Sequence, residues 1–533
     1  MNVPVLVLVI SFVVLLLINV PVAFCMGIAT LLAFLVMGAP AFVAVAHNIA
    51  TGIDSFALLA IPFFILSGLL MGHGGIARRL IDFANVLVGR FRGGLAFVNI
   101  LTCMLFGAIS GSATAAISSV GGFLIPLMNK MGYHRDFNAS VTITAATTGL
   151  LIPPSNVMIV YSLATGGAVS IAAIFMAGFL PGVLMGLLLI VVSAVISIRN
   201  NYGQEQGEVA TFVETLRFYA LLLASLLVVN FALACFYPLL AATLRILAWA
   251  SAGIAKSLGY DIETSRSLPS GATWIRVALW GLAGLVAWVV EVKVVWRLAS
   301  IKAATITYLR AVPALLLVLI VIGGILLGWF TPTEASAVAV LYAFILAVFV
   351  YREVEVSELP KILLQCGVTT SVVFMLIATS VAMSWVLASE NVPQSISAGL
   401  LGLTDNGIVL LLLINAILLA VGTFMDMTPA VLIFTPILLP IVERIGSEMW
   451  GDHGDSRYAL YFGIILIMNL CIGLCTPPVG TCLFLGCGIA ETTVTKVMRH
   501  IFPFFVAMIV ALLICTFVPQ ISLWVPDKLG FLK

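Results

Sequence analysis

The stretch GAISGSATAAISSVGG, residues 107–122, decides the fold, and it consists of Gly, Ala, Ser, Thr and a few aliphatic residues. It lies between two apolar runs, VNILTCMLF and FLIPLM, in a chain that is 62% hydrophobic and only 9% charged. Soluble domains carry about a quarter charged residues, so this chain is far too apolar to be soluble. A small, polar, helix-poor stretch therefore stands where an apolar helix would be expected to cross a bilayer.

Apolar runs long enough to cross about 30 Å of hydrocarbon as helices recur throughout the 533 residues, for example VPALLLVLIVIGGILLGWF. The sequence therefore predicts an all-α, multi-pass membrane protein. The first run, MNVPVLVLVISFVVLLLINVPVAF, lacks a basic leader and a small-residue cleavage site, which predicts a first span rather than a signal peptide. A net charge of +2 gives no reason to expect nucleic acid as a partner. The nine cysteines and five histidines are scattered along the sequence, so we expect no metal held by Cys or His, no cofactor and no enzyme.

Three landmarks occur twice in the same order. PVAFCMGIATLLAF begins at Pro21 and is similar to PTEASAVAVLYAF, which begins at Pro332, 311 residues later. GAISGSATAA and GTFMDMTPAV, which begin at Gly107 and Gly422, lie 315 residues apart, and the Pro-Pro pairs of LLIPPSN and LCTPPVG lie 324 residues apart. Internal repeats of this kind are typical of secondary transporters. The sequence predicts a first repeat over residues 1–200, with scaffold helices over 1–71, and a second repeat over 300–533.

The charge of the flanking segments predicts that the two repeats are inverted. Segments 72–93 and 130–137 carry net charges of +3 and +1, whereas the corresponding segments 390–405 and 443–457 each carry −2. Lys and Arg favour the cytoplasmic side of a membrane. The first pair of segments is therefore predicted to be cytoplasmic and the second pair external.

Residues 94–129 then begin and end on one side of the membrane. The middle of this segment lies about 16 residues from either end, which corresponds to about 24 Å of helix and is short for a full crossing. We therefore expect a re-entrant helical hairpin whose tip contains Ser110–Ser112. Residues 406–442 are the predicted mirror hairpin, with its tip at 423–428.

Each hairpin is followed by a segment with a central Pro-Pro pair, which removes two backbone donors and breaks a helix. Broken helices are predicted over 138–165 and 458–490. Unpaired backbone at bilayer depth is tolerated only where it lines a site. The two tips and the two breaks are therefore expected to converge on one pseudo-symmetric cavity.

The ends of half-helices suggest the chemistry of this cavity. Freed carbonyls and helix C-termini suit a cation, and helix N-termini suit an anion such as a carboxylate. Neutral oxygen ligands without a cluster of carboxylates favour a monovalent cation over Ca²⁺ or Mg²⁺. Close helix packing is the alternative use of such small residues. The candidate site residues are Ser110, Gly111, Ser112, Thr114, Pro153, Pro154, Ser155, Asn156, Gly422, Thr423, Asp426, Thr428, Thr476, Pro477, Pro478 and Gly480.

Charged residues within the apolar segments are candidates of a different kind. Asp426 at the second tip is a functional candidate, and the alternative is a protonated carboxyl that hydrogen-bonds to the backbone. Glu334 follows Pro332 and is predicted to cap the first turn of a helix. The arginines of segment 72–93 are predicted to lie on an amphipathic cytoplasmic arm and to contact lipid headgroups. They are Arg78, Arg79, Arg90 and Arg92.

Four motifs, in order, resemble the large membrane (M) subunit of TRAP transporters, the tripartite ATP-independent periplasmic class. They are GAISGSATAAISSVGGFLIPLMNKMGY, TAATTGLLIPPSNVMIVYS, GILLGWFTPTEASAVAVLYAF and MNLCIGLCTPPVGTCLF. The resemblance covers about residues 1–200 and 300–525.

The resemblance implies sodium-driven uptake of an organic anion, usually a carboxylate, across the bacterial inner membrane. It implies two partners, a periplasmic substrate-binding protein and a small four-helix membrane subunit. It implies sodium sites at the contacts between the hairpin tips and the helix breaks. In this sequence the first site would be formed by Ser110–Ser112 with Pro153–Asn156, and the second by Gly422–Thr428 with Thr476–Gly480. It also implies an elevator mechanism, in which a domain that bears the hairpins slides through a fixed scaffold.

Residues 205–298 depart from the family pattern and are predicted to form an insertion with about two extra transmembrane helices. This is too little for a fused small subunit, so a separate one is expected. Three alternatives remain open: a stand-alone cation-coupled carboxylate transporter or ion antiporter of similar build, a channel, and an intramembrane enzyme. The first would need no binding protein, the second would show flux that does not saturate, and the third would need a nucleophile or metal set.

Overall fold

The computed structural model describes most of the chain outside the predicted insertion. The described residues are 3–18, 20–37, 41–54, 56–89, 91, 93–202, 299–326, 328–402, 404, 406–451, 455–477 and 480–532. The chain separates into one unit made of Met1–Gly207 and Ala311–Lys533 and a second unit, Glu208–Arg310. The predicted insertion, 205–298, and Pro478 lie outside the described residues.

The first half contains eleven described α-helices. They are α1 (Val3–Leu17), α2 (Val22–Met37), α3 (Ala41–Ile53), α4 (Ala60–His73), α5 (Ile76–Val88), α6 (Gly94–Ser110), α7 (Ala113–Ala116), α8 (Gly122–Lys130), α9 (Arg135–Thr148), α10 (Asn156–Ala164) and α11 (Ile171–Arg199). Short 3₁₀ segments, Phe56–Leu59 and Gly149–Leu151, precede α4 and follow α9, and a π-helical segment, Ile117–Gly121, joins α7 to α8.

Ten further α-helices follow in the described part of the second half. They are α12 (Ala299–Leu326), α13 (Pro332–Phe344), α14 (Leu359–Ser389), α15 (Val392–Leu401), α16 (Gly407–Phe424), α17 (Met427–Trp450), α18 (Asp455–Gly473), α19 (Thr481–Ile489), α20 (Val494–Phe517) and α21 (Gln520–Lys528). A π-helical segment, Ile345–Val350, continues α13, and the 3₁₀ turn Val356–Glu358 precedes α14.

All regular elements of the described residues are helical, and eight helices are long and apolar enough to cross a membrane. Two pairs of shorter helices would each count as one further span if the two helices of a pair are taken together. The helices of the pair α4 and α5 meet at a bend of 71°, and those of the pair α9 and α10 meet at a bend of 48°. The prediction of an all-α, multi-pass membrane protein is confirmed.

Helices that correspond between the two halves pack on elements of the opposite half. α2 and α13, which carry the Pro21 and Pro332 landmarks, pack on α14 and α4, respectively. α10, the second part of the first broken segment, packs on α17 of the second hairpin. α19, its counterpart, packs on α7 and the π-helical segment of the first hairpin. This exchange of partners brings both hairpins and both broken segments into one packed group of helices.

One prediction on a charged residue has a clear outcome. Glu334 forms a capping box with Thr331: the Glu334 N–H donates to Thr331 Oγ1 at 3.3 Å, and the Thr331 N–H donates to Glu334 Oε2 at 2.8 Å. The predicted capping role of Glu334 is therefore confirmed.

The contact of the segment 72–93 arginines with lipid headgroups stays a prediction, but Arg79 also has partners within the protein. Arg79 lies on the short amphipathic helix α5, and its guanidinium is 3.3 Å from Glu353 and stacks 3.7 Å from the ring centre of Tyr351. A loop of the second half therefore supplies the carboxylate and the aromatic face that the charge requires. Arg78 on the same helix is exposed, and Arg90 and Arg92 lie outside the described residues.

Candidate functional site

The first tip is a helix stop followed at once by a helix start. α6 ends at Ser110 because Gly111 takes a left-handed backbone conformation, with φ of 61°, which glycine adopts without the steric cost of a Cβ. Ser112 is extended and caps α7, with its Oγ accepting a hydrogen bond from the Ala115 N–H at 3.3 Å. The chain then turns back, and α7, the π-helical segment and α8 pack against α6. The small polar stretch thus builds the interruption itself.

The first break leaves buried oxygen atoms without partners. α9 ends at Thr148 and α10 begins at Asn156, with Pro153 and Pro154 between them. Ser155 occupies the N-cap position of α10, but its side chain makes no cap hydrogen bond. Ser155 Oγ and Asn156 Oδ1 are both buried without a hydrogen-bond partner, which is rare for polar atoms in a folded protein.

The first tip and the first break are in direct contact. A Cβ added at Gly111 would lie 3.1 Å from Asn156 Nδ2 and 3.3 Å from its Cγ, so only glycine leaves the amide this close. On the other side of the tip, a Cβ at Gly68 of α4 would lie 2.9 Å from the Ser110 carbonyl oxygen. The tip backbone is therefore held between α4 and the start of α10.

A cavity of about 550 Å³ opens beside this contact. Six of the candidate residues predicted from the sequence line it: Ser110, Gly111, Ser112, Thr114, Asn156 and Thr428. Five polar residues that were not singled out from the sequence line it as well: His73, Ser118, Ser119, Gln365 and Thr369. His73 ends α4, and Gln365 and Thr369 lie on α14, so only the folded chain brings them to the tip. Ser118 and Ser119 lie about two helical turns beyond the tip, within the stretch that the sequence marks as unusual.

His73 is the only titratable residue among the described residues that line this cavity. Its Nδ1 lies 2.9 Å from the Leu69 carbonyl oxygen, which requires Nδ1 to carry a proton and to donate. Its Nε2 is then the ring nitrogen available to a ligand. The rest of the lining consists of hydroxyl, amide and apolar groups, without Lys, Arg, Asp or Glu.

The second tip is built differently. α16 ends at Phe424, Met425 is extended, and Asp426 caps α17 through a hydrogen bond from the Met427 N–H to Oδ1 at 2.9 Å. Thr423 donates to the Ala420 carbonyl at 2.7 Å. Neither Asp426 nor Thr423 lines the cavity. The role that the structure gives Asp426 is an exposed helix cap.

In the described part of the second break, Thr476 and Gly480 form local hydrogen bonds. α18 ends at Gly473, the Thr476 hydroxyl donates to the Ile472 carbonyl at 2.8 Å, and the Gly480 N–H donates to the Thr476 carbonyl at 3.2 Å before α19 begins. The second broken segment contacts the first, because the Cys471 thiol donates to the Thr147 carbonyl at 3.3 Å.

The described residues show part of the expected convergence of both tips and both breaks on one pseudo-symmetric cavity, and this cavity is lined mostly by the first half. The first tip and break build it, and the second half contributes Thr428 from the first turn of α17, together with Gln365, Thr369 and Val373 of α14. The remaining described candidates do not line this cavity. These are Pro153, Pro154, Ser155, Gly422, Thr423, Asp426, Thr476, Pro477 and Gly480.

Comparison with known proteins agrees with this architecture. Residues 9–521 match the family described as "Tripartite ATP-independent periplasmic transporter, DctM component". The chain belongs to this family. It is 39% identical to the uncharacterised protein YgiK of Salmonella typhimurium over 98% of this chain and 97% of that protein. It is also 30% identical to the C4-dicarboxylate TRAP transporter large permease protein DctM of Rhodobacter capsulatus, over 97% of each chain. The DctM protein of Pseudomonas aeruginosa is 33% identical over 90% of this chain and 88% of its own.

The family membership confirms the resemblance seen in the four motifs and the prediction that the chain is not an enzyme, since these relatives are transporter permeases. Permeases of this family sit in the bacterial inner membrane and work with a small membrane subunit and a periplasmic binding protein.

Proposed function

We propose that this permease couples sodium entry to the uptake of a small organic anion of the carboxylate class. The observation that carries the proposal is the oxygen-lined cavity at the first tip, with two unpartnered buried oxygen atoms at or beside it. The C4-dicarboxylates for which the Rhodobacter and Pseudomonas relatives are named belong to this class of substrate.

The unpartnered oxygens support a cation site. A buried polar atom without a partner costs about 1–3 kcal/mol, and a bound cation removes this cost by coordination. Ser155 Oγ and Asn156 Oδ1 are neutral oxygens next to the backbone of the first tip, a ligand set that suits a monovalent hard cation. The first sodium site is therefore assigned to Ser110–Ser112 with Pro153–Asn156. A second site is assigned to Gly422–Thr428 with Thr476–Gly480, on the family resemblance and the repeated landmarks.

The cavity lining supports an anion that enters together with the cation. A carboxylate in this cavity finds the N-terminus of α10 and the hydroxyls of Ser112 and Thr114, but no Lys or Arg among the described lining residues. An ion with a full negative charge is poorly stabilised by neutral groups alone. A sodium ion bound at the adjacent tip would supply the missing positive charge, and this gives the coupling a physical reason.

The transport step is proposed to be an elevator movement of two inverted repeats. Both hairpins and both broken segments pack on one another across the two halves, which makes them suited to move as one body. α2, α13 and α14 would belong to the fixed scaffold, and the small membrane subunit would complete it. The periplasmic binding protein would deliver the anion to the cavity.

Uptake into proteoliposomes that contain the permease and its small subunit would test the proposal. We expect saturable uptake of a labelled C4-dicarboxylate only when a sodium gradient and the binding protein are both present. Uptake that is unchanged when potassium replaces sodium would reject the coupling. Uptake that needs sodium but no binding protein would indicate a stand-alone transporter, and flux that does not saturate would indicate a channel.

Two variants locate the coupling ion. Ser112→Ala and Asp426→Asn should each shift sodium activation to higher concentrations. Normal sodium dependence in Ser112→Ala would show that the first tip is not part of the cation site. Normal sodium dependence in Asp426→Asn would show that Asp426 acts only as a helix cap.

A further inference from the structure

Two histidines that lie 366 residues apart in the sequence meet at one carboxylate. His134 and Asp136 stand at the start of α9, and His500 lies in the second turn of α20. The distance from Asp136 Oδ2 is 3.6 Å to His134 Nδ1 and 4.0 Å to His500 Nδ1. One ligand atom from each residue lies within 4.8 Å of the others. The histidines are thus scattered in the sequence but clustered in the fold, against the expectation from their spacing.

The carboxylate is held in place from its other side. Asp136 is buried, and the Thr492 hydroxyl donates a hydrogen bond to its Oδ1, which leaves Oδ2 to face the two imidazoles. The two imidazole rings stack with centres 4.9 Å apart and an angle of 17° between their planes. α9 and α20 pack along each other, with the rings of Phe137 and Phe504 6.1 Å apart. Packed helices therefore hold the three side chains together.

The geometry points to a binding site for a divalent transition-metal ion of the zinc class, held by His134, Asp136 and His500. Two imidazole nitrogens and one carboxylate oxygen are a ligand set that zinc and its neighbours prefer, and Ca²⁺ and Mg²⁺ do not. The two imidazoles are partly exposed, with 54% and 39% of each side chain accessible, so an ion can enter and water can complete its coordination. The buried carboxylate offsets the charge of the ion.

Closing the site requires an imidazole to turn as well as to approach, because the stacked rings are nearly parallel and a ring nitrogen binds a metal in the plane of its own ring. Ligand atoms around a tetrahedral zinc ion lie about 3.4 Å apart, which follows from zinc–nitrogen distances of about 2.0–2.1 Å. The 3.6 Å pair is already close to this separation, and the longest distance within the cluster must shorten by about 1.4 Å. Rotation of the exposed His134 side chain can supply this movement. His500 Nδ1 would exchange a long contact of 3.3 Å with the Lys496 carbonyl for the metal.

The site is separate from the proposed sodium site. α9 extends 14 residues from this cluster to the first break, which corresponds to about 20 Å. The surrounding basic residues, Lys130, Arg135, Lys496 and Arg499, place the cluster on the flank that the charge pattern assigns to the cytoplasm. A bound ion would fasten the start of the first broken segment to α20 and to Thr492.

Metal titration of the purified full-length permease tests the site, with a purification tag that contains no histidine. After removal of metals by a chelator, calorimetry should show one Zn²⁺ per chain, and Co²⁺ should give the visible absorption of a tetrahedral nitrogen and oxygen site. His134→Gln, His500→Gln and Asp136→Asn should each weaken Zn²⁺ binding at least about tenfold. His47→Gln, which changes an exposed histidine of α3, should bind as the parent protein does.

Thermal unfolding separates loss of the site from loss of the fold. In chelator, His134→Gln and His500→Gln should melt at the parent temperature, and a fixed Zn²⁺ concentration should raise the melting temperatures of the parent and of His47→Gln by more than that of either variant. Absence of Zn²⁺ binding by the parent would overturn the site. Equally tight binding by a His134→Gln/His500→Gln double variant would overturn it as well.

Discussion

Gly107 and Gly149 lie in backbone contact, so close that a Cβ added at Gly149 would be 2.6 Å from the Cα of Gly107. Gly422 and Gly473 repeat this contact, since a Cβ at Gly473 would be 2.5 Å from the Cα of Gly422. Gly422 follows Gly107 by 315 residues, and Gly473 follows Gly149 by 324 residues. These are the same offsets that separate the two hairpin tips and the two Pro-Pro pairs. In both halves, a pair of glycines therefore brings the first helix of the hairpin into backbone contact with the broken segment.

This relationship predicts that Gly149→Ala and Gly473→Ala each lower the free energy of unfolding by about 1–3 kcal/mol, because an added methyl group would force two backbones apart. Thermal unfolding in detergent would measure the effect. Gly122→Ala is the matched control, since a Cβ there would meet no atom within 4 Å. Equal melting temperatures for all three variants would show that the paired backbones can separate freely.

A second prediction concerns Ser155, whose hydroxyl is buried without a partner. In sodium-free buffer Ser155→Ala should be as stable as the parent or more stable, because it removes an unsatisfied polar atom. Sodium at about ten times its Kd should stabilise the parent by about 1.4 kcal/mol and the variant by less. Melting temperatures measured with and without sodium give both quantities.

The control for this test is Ser162→Ala on the same helix. Ser162 Oγ donates to the Val169 carbonyl at 2.6 Å, so its loss should lower stability by about 1 kcal/mol whether or not sodium is present. A Ser155→Ala variant that behaves like Ser162→Ala, with equal losses in both buffers, would assign Ser155 a packing role and no ion.

Local signals in the sequence were sufficient to predict the first tip, and contacts between distant helices were not. Gly111 and Ser112 carry the residue preferences of a helix stop and a helix start, and Glu334 carries those of a capping box, so each can be predicted from its neighbours. Asp426 shares the same capping preference, and for this reason the sequence could not distinguish a cap from an ion ligand. Arg79 meets Glu353 only through the packing of α5 on a loop 274 residues away, which no local pattern indicates.

His73 is the basis of a third prediction. It is the one imidazole of the described cavity lining, and its Nε2 is free of the Leu69 contact. His73→Ala should raise the KM for the anion about tenfold, as expected for the loss of a hydrogen bond to a charged group. His73→Gln keeps an N–H donor and should recover part of the affinity. Uptake kinetics of the two variants beside His47→Ala, which lies outside the cavity, would measure this, and an unchanged KM in His73→Ala would exclude a contact with the anion.

The last prediction concerns the orientation of the two repeats, on which the proposed movement depends. Lys130 and Glu448 end the second arms of the first and second hairpins, and both are exposed. In inverted repeats they lie on opposite sides of the membrane, with Lys130 facing the cytoplasm. A membrane-impermeant maleimide added to spheroplasts should therefore label Glu448→Cys at once and Lys130→Cys only after permeabilisation. The eight cysteines of the described residues are buried, and both variants are made in a Cys235→Ala background, so that the labelling of the starting protein is low. Labelling of both variants from the same side would show that the repeats are parallel. The movement of a rigid group of oppositely oriented hairpins could then no longer explain how the anion reaches the cavity from both sides of the membrane.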